Sequence, residues 1–202
     1  MRVVRCEQGS DLWRTSRLGV PTASQFKRIL TPSTLKPSTQ AEAYAAELAA
    51  ELALGAPLDE LGGGFVDRGT TLEGQARKWY EFRRDATVAQ VGFCLRDDME
   101  VGCSLDGLVG EDGLLEIKCL SAKHHAVAFV KPPLNDHRCQ VQGQLWVTGR
   151  SWCDLLFFNP ELPPRLVRCE SDAKWVKAWE PAVEAFLRDL AAAKEQYAQP
   201  TQ

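Results

Sequence analysis

The sequence predicts an α/β (α+β) fold with a central mixed β-sheet flanked by helices. Three observations carry that expectation. Up to about residue 84 the chain reads mostly as helices; from Val88 to Leu120 the apolar period shortens and turn residues punctuate it; two more strand-like runs then lead into a last amphipathic segment. At 202 residues, the chain has the length of one domain with a well-buried core.

Each element has a local signature. Pro21 to Leu30 reads as a short helix with hydroxyl residues, Thr22 and Ser24, at its start. Pro32 and Pro37 break the chain, after which Ser38 or Thr39 caps a long Ala/Glu/Leu helix that Gly55 ends. Gly62-Gly63-Gly64 marks a flexible connection, and a helix from about Asp67 to Arg84 carries Leu72, Ala76, Trp79 and Tyr80 on one face. Val88 to Leu95, Val101 to Leu108 and Leu114 to Leu120 read as strands, parted by Arg96-Asp97-Asp98 and by Gly110-Glu111-Asp112-Gly113. A helix over His137 to Thr148 precedes strands over Trp152 to Phe158 and Leu166 to Glu170. Ser171 or Asp172 then caps a helix bearing Trp175, Trp179, Val183, Phe186, Leu187 and Leu190, in which Pro181 marks either a kink or the true start.

Composition narrows the function classes. No apolar run approaches the length that spans a bilayer and the N-terminus lacks a signal-peptide core, so a cytoplasmic protein with no membrane partner is expected. The seven cysteines are scattered without a Cys-x-x-Cys pair, which argues against zinc or iron–sulfur sites and for reduced thiols packed in the core. A net charge of −3 weighs against a uniformly basic nucleic-acid binder. The charge is uneven, however: up to Lys36 seven Lys and Arg face two acids, a segment able to meet phosphate or simply a solvated surface.

The chemistry centres on Ser104-Leu105-Asp106-Gly107 and Leu114-Leu115-Glu116-Ile117-Lys118-Cys119. Residues two apart in a strand share a face, so Glu116 and Lys118 point the same way, and the turn at Glu111-Asp112-Gly113 returns their strand beside Asp106. Two carboxylates and an ammonium at one spot suit phosphodiester hydrolysis. Asp106 would bind divalent ions, Mg²⁺ or substituting Mn²⁺, and is expected to bridge two, while Glu116 and the backbone carbonyl of Ile117 would complete one site. Lys118 orients the attacking water and either takes its proton or stabilises developing charge. The same spacing also fits an ordinary surface hairpin; the apolar surroundings of Glu116 and Lys118 favour use, because a charge there is costly unless paired.

With these residues placed, the chain resembles the PD-(D/E)xK nuclease superfamily and, within it, the lambda-exonuclease family (YqaJ-type, phage alkaline exonuclease). Four blocks carry the resemblance: Gln8-Gly9-Ser10-Asp11-Leu12-Trp13-Arg14-Thr15-Ser16-Arg17-Leu18-Gly19-Val20-Pro21-Thr22-Ala23-Ser24; Gly69-Thr70-Thr71-Leu72-Glu73; Asp106 with Glu116-Ile117-Lys118; and Gln140-Val141-Gln142-Gly143-Gln144-Leu145-Trp146-Val147-Thr148-Gly149, followed by a strand ending Phe158-Asn159-Pro160. The resemblance implies a restriction-endonuclease-like core and a single nuclease domain over 1–202. In that domain 1–60 contribute a DNA 5′-phosphate pocket, 61–170 the catalytic core and 171–202 a C-terminal helix. Arg17, Ser24, Ser104 and Gln140 match the phosphate pocket, Gln140 and Glu73 stand near the metals, and Val66 aligns with a strand-separating wedge or is a core valine. The implied activity is Mg²⁺-dependent 5′→3′ exonuclease action on double-stranded DNA ends. It yields mononucleotides and 3′ single strands for phage-type recombination, from a ring-shaped homotrimer beside a phage single-strand annealing protein. A PD-(D/E)xK endonuclease for restriction or repair, or a non-catalytic DNA-end-binding protein on the same fold, are the alternatives. Leu105 stands where the superfamily motif has Pro. The stretch 119–139, read as a loop, is short for the family; His124 and His125 within it are expected at the surface or near DNA, and Trp13 is expected to pack under Arg17 or approach DNA.

Overall fold

The chain lays a mixed sheet between helices, and the sheet's two faces have different tasks. The computed structural model describes residues 1–58, 67–97 and 100–198; the glycine run 62–64 and Val66 lie outside the described residues. The N-terminal part forms β1 (Arg2–Val4), α1 (Asp11–Arg17), a 3₁₀ helix (Ala23–Arg28), β2 (Leu30–Thr31), β3 (Lys36–Pro37) and α2 (Ala41–Leu54). There follow α3 (Asp67–Arg84), β4 (Val88–Ala89), β5 (Phe93–Leu95), β6 (Gly102–Cys103), β7 (Gly107–Val109) and β8 (Gly113–Cys119). The rest is α4 (Ala122–Val130), α5 (Leu134–Thr148), β9 (Trp152–Asn159), β10 (Leu162–Glu170) and α6 (Ala173–Ala198).

Among the described residues the main sheet runs β10-β9-β8-β7-β4, with β8 and β9 parallel and the other pairs antiparallel. The parallel pair demands a long crossover, which α4 and α5 supply. Alternation along β8 and β9 sorts side chains by face. Leu115, Ile117 and Leu156 pack with Ala76 and Tyr80 of α3. Leu114 and Cys153 face the larger core of α2, α5 and α6, and Leu155 with Phe157 meets Ala128 of α4. Glu116 and Lys118, in phase with Leu114, therefore project into the α5 side.

Two expected strands are each broken in two. Val88 to Leu95 splits into β4, in the main sheet, and β5, which joins β1 and β6 in a second sheet; Val101 to Leu108 splits into β6 and β7. Local interactions replace the ladder at the breaks. The Gln8 side chain donates to the Val91 and Leu105 carbonyls at 3.2 and 2.8 Å, and Gly92 lies so close to Cys6 that a Cβ would stand 2.3 Å from its sulfur. The second break frees Ser104, Leu105 and Asp106 from strand pairing, and Ser104 and Asp106 are the residues the site needs. The stretch 119–139, expected as a loop, contains α4 and the start of α5. His125, expected at the surface, is buried in α4 with Nε2 at 3.3 Å from the Phe157 carbonyl; His124 is exposed. Pro181 lies inside α6 and is not its start, and Asp172 accepts the Lys174 backbone N–H at 2.9 Å as its cap. Neither β1 nor α1 was expected. The expected helix over 21–30 is a 3₁₀ helix, and the α2 N-cap is Gln40, with Ser38 accepting its N–H at 3.2 Å. Gly55 ends α2 in the left-handed region, as expected. All seven cysteines are free, and among the described residues no helix is long and apolar enough to cross a membrane.

The seat of α5 rests on a close approach. A Cβ at Gly143 would stand 2.7 Å from Phe26 Cδ2 and 3.3 Å from Ala23 Cβ. Phe26 is fully buried between Trp146 and Trp179, with ring centroids 6.1 and 5.0 Å away, so it has little room to yield. Gly143→Ala gains about 1 kcal/mol in helix propensity against overpacking of roughly 1–3 kcal/mol. A net loss near 1 kcal/mol, read as a lower thermal midpoint, is expected; a raised midpoint would show that Phe26 moves aside.

Candidate active site

β8 brings Glu116 and Lys118 to the α5 face, and the segment between β6 and β7 brings Asp106 beside them. Asp106 Oδ2 accepts the Ile117 backbone N–H at 2.5 Å, just past the last β7–β8 pair, Gly107 with Leu115. The N–H and C=O of one strand residue leave on the same edge, so the Ile117 carbonyl also faces the Asp106 side. Lys118 Nζ donates to Glu116 Oε1 at 2.7 Å and to Gln140 Oε1 at 3.2 Å, and Gln140 Nε2 donates to Glu116 Oε1 at 2.7 Å. The expected triad and Gln140 thus form one cluster. Glu73, on α3, lines a cavity of about 150 Å³ together with Asp106 and Arg77.

The electrostatics are those of crowded carboxylates. Burial, then the charge of Glu116, pushes the Asp106 carboxyl well above the usual range against the pull of the Ile117 N–H; Glu73 adds to the push. Burial alone would loosen the Lys118 proton, yet the adjacent Glu116 outweighs it and raises the ammonium above its ordinary value. Excess negative charge held out of water is what a divalent cation relieves. Among the described residues no three His, Cys, Asp or Glu side chains form a ready-made metal cage. A hard ion such as Mg²⁺ takes one or two carboxylates and fills its remaining positions with water and substrate phosphate. Asp106, Glu116 and the Ile117 carbonyl offer oxygen donors of that kind.

A second centre lies alongside. Arg17, at the end of α1, stacks 4.2 Å over the Trp13 ring and donates to Ser104 Oγ at 2.7 Å; Trp13 Nε1 donates to the same oxygen at 2.9 Å. With both acceptor sites of Ser104 Oγ filled, its own hydroxyl hydrogen is left to point at an acceptor. Burial lowers the Arg17 pKa, the mark of a guanidinium partly stripped of water. Arg17 and Trp13 line a pocket of about 240 Å³ with Ser24, Thr22 and Tyr44, and Ser104 holds both of them through its hydroxyl oxygen. Ser24 is exposed at its rim, 3.2 Å from Thr22 Oγ1. Nearby Arg28 is occupied by a bidentate pair with Glu47 at 2.6 and 2.7 Å. Trp13 packs under Arg17, one of its two expected positions. Arg17 and Ser24 thus share a pocket and Ser104 is tied to it through Arg17, whereas Gln140 belongs to the carboxylate cluster.

Two residues were missed. Gln144 is buried, with Nε2 2.6 Å from Glu116 Oε2 and 3.3 Å from the Ser104 carbonyl. Its spacing of four from Gln140 on one helix was the available signal. Arg77 donates Nε to the Asp106 carbonyl at 3.1 Å, and it follows Glu73 by the same interval.

Residues 12–151 match the model of the YqaJ-like viral recombinase domain. The fold matches an alkaline exonuclease (LHK-Exo) from Laribacter hongkongensis with a TM-score of 0.81 and 31% identity, covering 93% of this chain and 95% of that one. The same enzyme in complex with dAMP matches with a TM-score of 0.79. A phage-related exonuclease from Haemophilus somnus 129PT, 16% identical over 88% of this chain and 93% of its own, shares the fold with a TM-score of 0.59. No curated protein sequence matches the chain. With most of its length in the family model and the alkaline exonuclease fold across it, the chain belongs to the YqaJ-like viral recombinase domain family, a kinship that supports a nuclease.

Proposed function

We propose that this chain is a metal-dependent exonuclease that degrades one strand of double-stranded DNA in the 5′→3′ direction from 5′-phosphorylated ends. The observation that carries the reading is the closeness of the two centres. Ser104 accepts a hydrogen bond from Arg17 of the pocket, and Asp106 belongs to the carboxylate cluster. Two residues apart, their Cα atoms are separated by at most about 7 Å, a gap a single nucleotide bridges. A terminal phosphate held at Arg17, Ser104 and Ser24 sets the next phosphodiester over Asp106 and Glu116, so each cut releases a mononucleotide. The Laribacter hongkongensis relative has been seen in complex with dAMP, a mononucleotide.

In this scheme Asp106, Glu116 and the Ile117 carbonyl would hold two Mg²⁺ ions, for which Mn²⁺ would substitute. The chemistry supplied there would be Lewis-acid polarisation of the phosphate and neutralisation of charge on the entering and leaving oxygens. Lys118, fixed by Glu116 and Gln140, orients the attacking water and donates to the phosphorane-like charge. Glu73 adds a carboxylate at the rim. The family resemblance supports a homotrimeric ring, an annealing-protein partner, a cytoplasmic setting and a role in phage-type recombination.

Linear duplexes with 5′-phosphate or 5′-hydroxyl ends, incubated with Mg²⁺ or EDTA, test this. The expected result is Mg²⁺-dependent loss from 5′ ends, faster with phosphate. Equal cutting of closed circular DNA would favour an endonuclease, and binding without cutting a DNA-end-binding protein. Arg17→Ala is expected to reduce the phosphate preference by roughly 10- to 100-fold, matching about 1.5–3 kcal/mol for hydrogen bonds to a charged group. An unchanged preference would remove Arg17 from the pocket.

A further inference from the structure

Gln144 touches both centres at once. Its Nε2 donates to Glu116 Oε2 at 2.6 Å and reaches the Ser104 carbonyl at 3.3 Å, while Ser104 Oγ takes hydrogen bonds from Arg17 and Trp13. Gln140, one helical turn earlier, holds the other oxygen of the same carboxylate. The two carboxamides therefore clamp Glu116 from α5, each on its own oxygen. Gln144 Oε1 is buried and has no hydrogen-bond partner. A buried amide left half satisfied is unfavourable. Turning it over would set Oε1 against the carboxylate, so its orientation is fixed by Glu116 and not by its own bonding.

We propose that Gln144 is a positioning residue that couples the Arg17 pocket to the metal-binding carboxylate, so that a seated 5′-phosphate and a correctly aimed Glu116 support each other. The inference rests on the exonuclease reading above. Arg17, Ser104, Gln144 and Glu116 form an unbroken run of side-chain and main-chain bonds. A shift of Ser104 on binding an anion is passed to Glu116 Oε2 through one amide nitrogen. Partners behind metal ligands affect affinity or activity by about 10- to 100-fold when removed.

Gln144→Leu and the unbranched Gln144→Met fill the same space without the amide. Both remove the unpaired carbonyl but also leave buried Glu116 Oε2 without its donor, so a lower thermal midpoint is expected, with the protein still folded at the assay temperature. Three readouts separate coupling from a packing role. Mn²⁺ affinity of the DNA-free protein, by electron paramagnetic resonance, is expected to weaken about tenfold. The ratio of kcat/KM for 5′-phosphate over 5′-hydroxyl duplexes is expected to fall toward one, with KM for DNA little changed. Arg17→Ala added to either variant is expected to lower that ratio no further, the non-additivity of linked residues. A phosphate ratio equal to the parent's in either folded variant would overturn the proposal, as would losses that track the unfolded fraction. Should the parent degrade no DNA, the exonuclease reading fails by itself. The Mn²⁺ comparison then still decides whether Gln144 governs Glu116: unchanged affinity overturns that, weakened affinity supports it.

Discussion

Lys118→Ala is expected to lower kcat by roughly 10²–10⁴-fold, the range for losing a proton-handling or charge-stabilising group, while Mn²⁺ binding by Asp106 and Glu116 persists. The reason is the placement of the ammonium. Two bonds fix it, to Glu116 Oε1 and Gln140 Oε1, on a strand buried on both faces. A truncated side chain leaves water where a directed donor stood. Glu116 keeps Gln140 and Gln144 as donors, so the carboxylate does not become an orphan charge and the fold is expected to survive. Asp106→Asn differs in kind, because it removes a ligand charge from the cluster; metal binding and turnover are both expected to be lost. Kinetics on 5′-phosphorylated duplex, paired with Mn²⁺ titration, distinguish the two. Turnover within a few-fold of the parent in Lys118→Ala would strip Lys118 of its role, and metal binding lost along with turnover would recast it as a support for Glu116.

Regular patterning made most helices legible. α3 has the bounds expected from its apolar stripe, and α2 ends at the expected glycine. The errors fall where tertiary contacts replace ladder bonds. Val88 to Leu95 reads as one strand because its apolar residues are nearly continuous, yet Gln8, more than 80 positions earlier in the chain, takes the Val91 carbonyl and helps move the chain into a second sheet. α4 was hidden for a related reason. Its sequence, with two histidines and three β-branched or aromatic residues, has no helical stripe, and its place is set by Ala128 and His125 packing on the sheet. In the site, the Asp106, Glu116, Lys118 cluster followed from strand alternation. Gln144 did not, because its spacing of four from Gln140 puts the two amides on one helix face without showing which carboxylate they meet from another element.

Asp154→Ala is expected to cost roughly 2–3 kcal/mol, from the lost charge-assisted bonds and the orphaned Tyr80 hydroxyl, because Arg168 and Arg84 are themselves part-exposed and regain water. In sequence Asp154 has the same appearance as Glu116, a lone acid in an apolar strand, yet its partners give it a different use. It lies fully buried on the α3 face, opposite Leu115. Arg168 donates Nε at 2.5 Å and Nη2 at 3.0 Å, Tyr80 its hydroxyl at 2.7 Å, and Arg84 reaches it at 3.3 Å; Arg168 also stacks 3.6 Å over the Trp152 ring. Burial by itself would raise the Asp154 pKa, but the bonds from Arg168 and Tyr80 and the two guanidinium charges outweigh it and hold the carboxyl below its ordinary value. A depressed folded pKa fixes the sign of the pH effect. The stabilisation is complete above the unfolded aspartate value, about 3.9, and drains away as pH falls through the lower folded value. The gap in thermal midpoint between parent and Asp154→Asn is therefore widest near neutrality and narrows below about pH 4. A gap that stayed constant down to pH 2 would contradict an ionised Asp154. Because Asp154 and Glu116 face opposite sides of the sheet, catalysis well below the variant's midpoint is expected to stay within a few-fold of the parent. A larger fall in kcat would mean that α3, which carries Glu73 and Arg77, depends on Tyr80 and Asp154 for its aim at the Asp106–Glu116 cluster.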